Sequence, residues 1–236
     1  MELTNLNAKQ LAQAIDHTLL KPEATIEQIK KLCEEAAMFG FKAVCVNPGH
    51  VGLAARELVG SEVTVCTVIG FPLGATTTSA KAYEATNAVW DGALELDMVI
   101  NVGALKAGCL DLVRDDIAEV VAAAYRVNEE AIIKVILENC LLTKPEVVTA
   151  CRLATEAGAK FVKTSTGFSS GGALVEDVRL MKDAVGGLLK VKASGGIRDW
   201  TTAMAMLAAG ADRLGVSAGV DIIRGFNAEN LALHQA

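Results

Sequence analysis

Gly158-Ala159-Lys160-Phe161-Val162-Lys163 is one of four segments in which a glycine is followed by a short, mostly apolar run. The other three begin at Gly40, Gly92 and Gly210. A glycine in this position suits the left-handed conformation that ends a helix. The run that follows is typical of a strand that helices cover. The repeat therefore predicts helices that alternate with parallel strands.

The same alternation extends along the whole chain. The strand candidates are Ala14–Leu19, Ala43–Val46, Val63–Ile69, Leu94–Ile100, Ile132–Leu137, Phe161–Lys163, Leu188–Ala193 and Arg213–Val216. The helix candidates are Ile26–Phe39, Thr78–Trp90, Leu110–Val127, Lys144–Ala157, Leu174–Val185 and Trp200–Ala209. No linker divides them, so we expect one α/β domain, residues 1–236, folded as a (β/α)8 or TIM barrel.

A doubly wound open sheet is the alternative fold for such a pattern. That fold usually carries a glycine-rich fingerprint after its first strand. Here the first strand is followed by Leu19-Leu20-Lys21-Pro22, which contains no glycine. The sequence therefore favours the barrel.

Composition restricts the function classes. The 236 residues are 52% hydrophobic and carry a formal net charge of −6, without a basic cluster, so a nucleic-acid partner is not expected. No apolar run reaches the length of a membrane span. The first residues do not resemble a signal peptide, so we expect a cytoplasmic protein with reduced cysteines. Histidines and cysteines show no metal-ligand spacing, and we expect no metal and no other cofactor.

Lys163 ends its apolar strand and is followed by Thr164-Ser165-Thr166-Gly167. Burying an ammonium group without a partner is costly, and a buried neutral amine is a nucleophile. A lysine at a strand end more often reaches solvent and pairs with a carboxylate. The segment alone leaves both interpretations open.

The four glycine repeats place one residue each at the same step after the glycine. These residues are Cys45, Asp97, Lys163 and Gly215. The interior of a TIM barrel is filled in layers that alternate strands build. We therefore predict that the four share a layer, with Asp97 facing Lys163 and the Cys45 thiol facing the same cavity.

Two further charged residues lie on predicted inward faces. Lys192 is on the seventh strand, beside Lys163 on the sixth, and Asp16 is on the first. A nearby cation disfavours the charged form of an amine. Lys192 would thus help Lys163 to act as a nucleophile, with Asp97 closer to Lys192 than to Lys163. An ion-pair network with only a structural role is the alternative.

Glycine-rich turns follow the last three predicted strands. They contain Gly167, Gly195-Gly196 and Gly215-Val216-Ser217. Loops after the seventh and eighth strands of a TIM barrel often bind phosphate. Backbone N–H groups approach an oxyanion closely where no Cβ intervenes. We therefore predict a phosphate site in these turns.

At these positions the sequence resembles the deoxyribose-phosphate aldolase family, class I aldolases with a TIM-barrel fold. The motifs are Asp16-His17-Thr18-Leu19-Leu20-Lys21-Pro22, Cys45-Val46-Asn47-Pro48, Val68-Ile69-Gly70-Phe71-Pro72, Glu95-Leu96-Asp97-Met98-Val99, Lys134-Val135-Ile136-Leu137-Glu138, Phe161–Gly167, Val191-Lys192-Ala193-Ser194-Gly195-Gly196-Ile197-Arg198 and Gly215-Val216-Ser217. The resemblance covers nearly the whole chain. It implies a Schiff base on Lys163, with Lys192 and Asp97 handling protons.

The resemblance also implies which residues bind substrate. Those expected at the phosphate are Gly167, Gly195, Gly196 and Ser217. Thr18 and Cys45 are further candidate substrate-binding residues. Phe168 stands where some family members have a lysine. Phosphate binding should therefore depend more on backbone N–H groups and on Arg198.

The implied reaction is the reversible cleavage of 2-deoxy-D-ribose 5-phosphate to D-glyceraldehyde 3-phosphate and acetaldehyde. The implied partner is a small phosphorylated sugar, and a homo-oligomer, dimer or tetramer, is open. Another phosphosugar lyase or isomerase with a TIM barrel is one alternative. A catalytically silent barrel that binds a phosphometabolite is a second.

Overall fold

The computed structural model describes residues 6–233. Its parallel strands pair in chain order and close into a barrel, because the eighth strand also pairs with the first. The strands are β1 (Ile15–Leu19), β2 (Ala43–Val46), β3 (Thr64–Ile69), β4 (Glu95–Val99), β5 (Ile132–Ile136), β6 (Phe161–Lys163), β7 (Lys190–Ser194) and β8 (Arg213–Val216). The predicted TIM barrel is confirmed, and every predicted strand is present with ends shifted by at most two residues.

Helices surround the barrel. Within the described residues they are α1 (Ala8–Ala12), α2 (Ile26–Phe39), α3 (Val51–Glu57), α4 (Thr78–Trp90), α5 (Val102–Lys106), α6 (Leu110–Val127), α7 (Lys144–Glu156), α8 (Val175–Val185), α9 (Trp200–Ala208) and α10 (Gly219–Leu233). The six predicted helices are confirmed, whereas α1, α3, α5 and α10 were missed. None of the helices in residues 6–233 is both long and apolar enough to cross a membrane.

Local signals set the helix ends as the sequence predicts. The Thr25 side chain accepts the Gln28 N–H at 3.4 Å, and the Gln28 side chain accepts the Thr25 N–H at 2.9 Å. This capping box satisfies two N–H groups that the first turn of α2 leaves open. Gly40, with φ of 66°, ends the same helix in the left-handed conformation. The chain then enters β2 almost directly.

The apolar core lies between the strands and the helices. In β4, for example, Leu96 and Met98 are fully buried against the helical layer. The alternate residues Glu95 and Asp97 are also fully buried, inside the barrel. The barrel interior is therefore largely polar and charged, and it holds the residues singled out in the sequence.

A buried ion pair fixes the end of β4. The Nζ of Lys81, on α4, lies 2.5 Å from Asp116 Oδ2 on α6 and donates to the Val99 carbonyl oxygen at 3.0 Å. Thr78 donates a further hydrogen bond to Asp116 at 2.8 Å. These contacts tie the strand that carries Asp97 to two helices.

Candidate active site

Asp97 is the centre of an ion cluster inside the barrel. Its Oδ2 accepts from the Nζ atoms of Lys163 and Lys192, each at 2.7 Å. Its Oδ1 accepts from Lys134 Nζ at 2.7 Å and from the Cys66 thiol at 3.2 Å. Both oxygens of one fully buried carboxylate are thus bound to amines from β5, β6 and β7.

The cluster continues towards the strand beginnings. Lys192 Nζ lies 2.5 Å from Asp16 Oδ2, and Arg213 Nε donates to Asp16 Oδ1 at 2.8 Å. Arg213 also donates to Glu95 at 2.9 Å, and Lys134 Nζ lies 2.7 Å from Glu95 Oε2. The network of charged side chains therefore joins β1 and the five strands from β4 to β8.

The mutual contacts keep Asp97 and Lys192 ionised. Burial by itself would raise the pKa of Asp97, but Lys134, Lys163 and Lys192 outweigh it and hold the pKa well below its usual value. Burial would lower the pKa of Lys192, but Asp16 and Asp97 raise it above its usual value. Lys192 therefore stays protonated at neutral pH.

The cluster does not balance its charges. It contains one more basic group than carboxylates: Lys134, Lys163, Lys192 and Arg213 against Asp16, Glu95 and Asp97. An uncompensated charge inside a protein is expensive. Loss of one proton removes the excess, so the arrangement favours one neutral amine.

The predicted layer is correct for its main members. Asp97 contacts Lys163, and Gly215 leaves room for Lys192, because a Cβ at residue 215 would lie 2.9 Å from Lys192 Cε. The expectation that Asp97 lies closer to Lys192 than to Lys163 is wrong, since both Nζ atoms are 2.7 Å from the same oxygen. Two cations therefore share one carboxylate oxygen.

A cavity of about 420 Å³ opens above the cluster at the carboxyl ends of the strands. Thr18, Lys163, Gly167, Gly195, Gly196 and Ser217 line it, as the sequence predicts for a substrate site. Its lining includes the basic residues Lys21, Lys163 and Arg198 but no carboxylate. The cavity therefore suits an anionic ligand next to the Lys163 amine.

Cys45 requires a correction. It is fully buried and is not part of the lining of this cavity, although its thiol was expected to face it. Cys45 nevertheless keeps its place in the layer. It is in register with Glu95, two residues before Asp97, just as Asp97 is in register with Phe161, two residues before Lys163. Its sulfur lies within 4.8 Å of an Asp97 oxygen, so the expected access to the cavity is wrong but the layer is not.

Backbone N–H groups at the cavity are available for a ligand. Within the described residues no protein acceptor faces the N–H groups of Gly167, Gly195, Gly196 and Ser217. Gly172 and Gly195 allow the loops after β6 and β7 to touch, because a Cβ at residue 172 would lie 2.3 Å from the Gly195 oxygen. The touching loops bring these N–H groups to one end of the cavity.

Phe168 lines the same cavity and is half exposed. Its ring packs edge-on against the ring of Phe71, with 5.2 Å between the ring centroids. An aromatic pair of this geometry adds stability beyond the area it buries. Phe168 thus gives this cavity an apolar edge, and the ring of Phe71 supports it from outside the lining.

Donor atoms of Cys45, Cys66 and Asp97 lie within 4.8 Å of one another, as in some metal sites. Both oxygens of Asp97 are already engaged by ammonium groups, and Lys134 Nζ lies 3.2 Å from the Cys66 sulfur. These cations repel a metal ion from the group. Its donor set therefore does not suit a metal.

Sequence reasoning gave no role to Lys134, Glu95 or Arg213. Alternation along the strands placed Lys134 and Glu95 on inward faces, which was the available signal. Arg213 begins its strand, a position that is usually solvated, and only the structure shows it 6% exposed between Asp16 and Glu95. All three act as partners of the residues that sequence reasoning did select.

Comparisons with known proteins agree with the geometry. A family model described as DeoC/LacD family aldolase matches residues 10–225. The deoxyribose-phosphate aldolase of Carboxydothermus hydrogenoformans is 60% identical over 220 residues, which are 93% of this chain and 96% of that protein. That of Clostridium novyi is 57% identical over 93% and 98% of the two chains.

Solved structures give the same result. The deoxyribose phosphate aldolase of Aeropyrum pernix, described as a unique tetramer, has a TM-score of 0.89 and 33% identity over 96% of this chain and 95% of that one. QR15, described as an aldolase, has a TM-score of 0.88 and 44% identity over 94% and 98%. With the family match over residues 10–225, the chain belongs to the DeoC/LacD family of aldolases.

Proposed function

We propose that this protein is a class I aldolase that reversibly cleaves 2-deoxy-D-ribose 5-phosphate to D-glyceraldehyde 3-phosphate and acetaldehyde. The observation that carries the proposal is the position of Lys163. It is the one amine of the ion cluster that also lines the cavity with the available N–H groups. The Lys163 Nζ can therefore contact a substrate carbonyl carbon while it remains hydrogen-bonded to Asp97.

The reaction begins with attack of the neutral Lys163 amine on the aldehyde carbon of the sugar. Loss of water gives an iminium ion, which accepts the electron pair when the bond between carbons 2 and 3 breaks. The hydroxyl on carbon 3 loses its proton as glyceraldehyde 3-phosphate forms. The remaining enamine takes a proton on carbon 2, and water then releases acetaldehyde from the lysine.

Asp97 and Lys192 are suited to move these protons. Asp97 Oδ2 touches both Nζ atoms, so a proton that leaves Lys163 has a base at 2.7 Å. Lys192 and Lys134 keep this carboxylate ionised and correctly turned. Neither Asp97 nor Lys192 lines the cavity, and a water molecule would carry the proton from substrate to the pair.

The phosphate is proposed to lie at the glycine-rich end of the cavity. The free N–H groups of Gly167, Gly195, Gly196 and Ser217 supply directed donors there. Arg198 adds a positive charge in the same lining. Backbone donors at such a loop cluster are a recurrent phosphate site in this fold.

Trapping tests the proposal. Acetaldehyde and borohydride should convert Lys163 to its N-ethyl derivative, because hydride reduces the imine to a stable secondary amine. Peptide mass mapping locates the label, and cleavage of 2-deoxyribose 5-phosphate is measured on the untreated enzyme. Label on Lys192 or Lys21, with Lys163 unmodified, would show that the nucleophile is assigned wrongly.

A homo-oligomer is also proposed for this chain. The tetramer described for the Aeropyrum pernix relative supports it. So do the exposed side chains of Tyr83 and Trp90 on α4, each 69% exposed. Light scattering of the purified protein should give a multiple of the 24.7 kDa chain mass, and a mass equal to that of the single chain would contradict it.

A further inference from the structure

Glu138 is an unusual residue just after β5. Its backbone φ is 58°, the only positive φ of a non-glycine residue within the described part of the chain. Its side chain is buried, with 3% of the residue exposed, and no cation lies within ion-pair distance among residues 6–233. A strained backbone and a buried unpaired carboxylate both cost stability, and such features cluster at functional sites.

Both carboxylate oxygens of Glu138 bind the same residue of the loop after β6. The Thr166 N–H donates to Glu138 Oε1 at 3.2 Å, and the Thr166 hydroxyl donates to Glu138 Oε2. The Thr166 oxygen in turn accepts the Phe168 N–H at 3.0 Å. The carboxylate therefore orders three consecutive residues, although it contacts only the first of them.

Gly167 lies between these two anchored residues. Its φ is 84°, and its N–H group has no acceptor within the described residues. The N–H groups on either side of it are occupied, that of Thr166 by Glu138 and that of Phe168 by Thr166. Only the Gly167 N–H of this triplet remains for a ligand, and Gly167 lines the cavity.

We infer that Glu138 is a positioning residue for the anion site: through Thr166 it holds the Gly167 N–H towards the phosphate of the substrate. Glu138 does not itself touch the substrate, since it is absent from the lining of the cavity. The inference rests on the proposed function for the identity of the phosphorylated substrate. The anion site is otherwise built by the loops after β6, β7 and β8. Glu138 adds to it a residue from the segment that follows β5.

Kinetics of Glu138→Gln and Thr166→Val test the inference. An amide offers one acceptor where the carboxylate offers two, and valine removes the hydroxyl that joins Glu138 to Phe168. In each variant KM for 2-deoxyribose 5-phosphate should rise about tenfold, the effect of misplacing one hydrogen bond to a charged group. The loss of kcat/KM should be much smaller for unphosphorylated 2-deoxyribose.

The double variant and a conservative variant separate positioning from general destabilisation. Because both changes break one chain of contacts, the double variant should lose no more than the worse single variant. Thr166→Ser keeps the hydroxyl and should retain the wild-type KM. Equal losses on both sugars, or losses that add in the double variant, would overturn the inference. If Glu138→Gln does not fold, the inference is decided by comparing KM for 2-deoxyribose 5-phosphate between Thr166→Val and Thr166→Ser.

A binding measurement keeps this inference separate from the proposed reaction. Titration with inorganic phosphate should shift the Gly167 amide resonance in the NMR spectrum of the wild-type protein, and the shift should be lost in Thr166→Val. This result does not require that the protein cleave any sugar. The role of Glu138 would be refuted if phosphate did not shift the Gly167 amide resonance in the wild type, or shifted it equally in Thr166→Val. This holds whatever the activity assay shows.

Discussion

Lys163→Leu is expected to abolish cleavage of 2-deoxyribose 5-phosphate, with a fall in kcat on the order of 10⁴-fold or more, because it removes the one amine of the ion cluster that lines the cavity. Activity should not return at high pH. The change removes one cation from a cluster that has one too many, so three basic groups then face three carboxylates. The variant should therefore fold with a thermal stability near that of the wild type.

Lys190→Leu is the matched control for this experiment. Lys190 is exposed at the opposite end of the barrel, two residues before Lys192 on the same strand. It should retain wild-type kcat and KM, and it should still be labelled on Lys163 by acetaldehyde and borohydride. Measurable turnover by Lys163→Leu, with substrate carbon trapped on another lysine, would refute the mechanism. A large loss of thermal stability in Lys163→Leu would refute the claim that the cluster carries one excess cation.

Lys192→Leu is expected to lower kcat/KM on the order of 100-fold or more at neutral pH, within the range of a lost proton-transfer partner. The change removes one of the two amines that contact Asp97 Oδ2 and leaves equal numbers of basic groups and carboxylates in the cluster. The excess of one cation that favours a neutral amine is then gone. The loss of activity should therefore be greatest on the acid limb of the pH–rate profile and smaller at high pH.

The direction of this change in the pH–rate profile depends on the charge of Lys192 in the wild type. In the wild type the pKa of Lys192 is raised by Asp16 and Asp97 against the effect of burial, so Lys192 does not titrate in the working range. Its positive charge is therefore present across the whole profile of the wild type and absent across that of the variant. Profiles of kcat/KM for both lysine variants make the comparison. An unchanged acid limb in Lys192→Leu would show that Lys192 only relays protons or only pairs with Asp16.

The fold was predictable because its signals are local. Strands such as β2, fully buried and apolar, are bounded by a helix-ending glycine and a polar turn, and these features are visible in the sequence. Three of the four missed helices are short: α3 has seven residues, and α1 and α5 have five each. Segments so short gain their stability from packing rather than from sequence periodicity. Length does not explain the miss of α10, which has 15 residues.

The site was predictable in part. The shared step in the repeats brought Asp97 to Lys163, because equal spacing from a helix end fixes the face of a strand. It also brought the Cys45 sulfur to within 4.8 Å of Asp97, but it could not show that the thiol would be fully buried and outside the cavity lining. Neither could alternation reveal that Glu138 binds the loop of Lys163, since that contact depends on a left-handed backbone at one residue.

The pairing of Arg213 with Asp16 has a consequence for how the chain folds. The two residues are 197 positions apart, and their hydrogen bonds join the last strand to the first. A partly formed barrel without β8 would lose the guanidinium hydrogen bonds to Asp16 and Glu95, which would leave carboxylate oxygens unsatisfied in a buried interior. Intermediates that lack either end of the chain are therefore penalised by missing hydrogen bonds as well as by lost packing. This favours cooperative assembly of all eight strands over stepwise growth from a stable half-barrel.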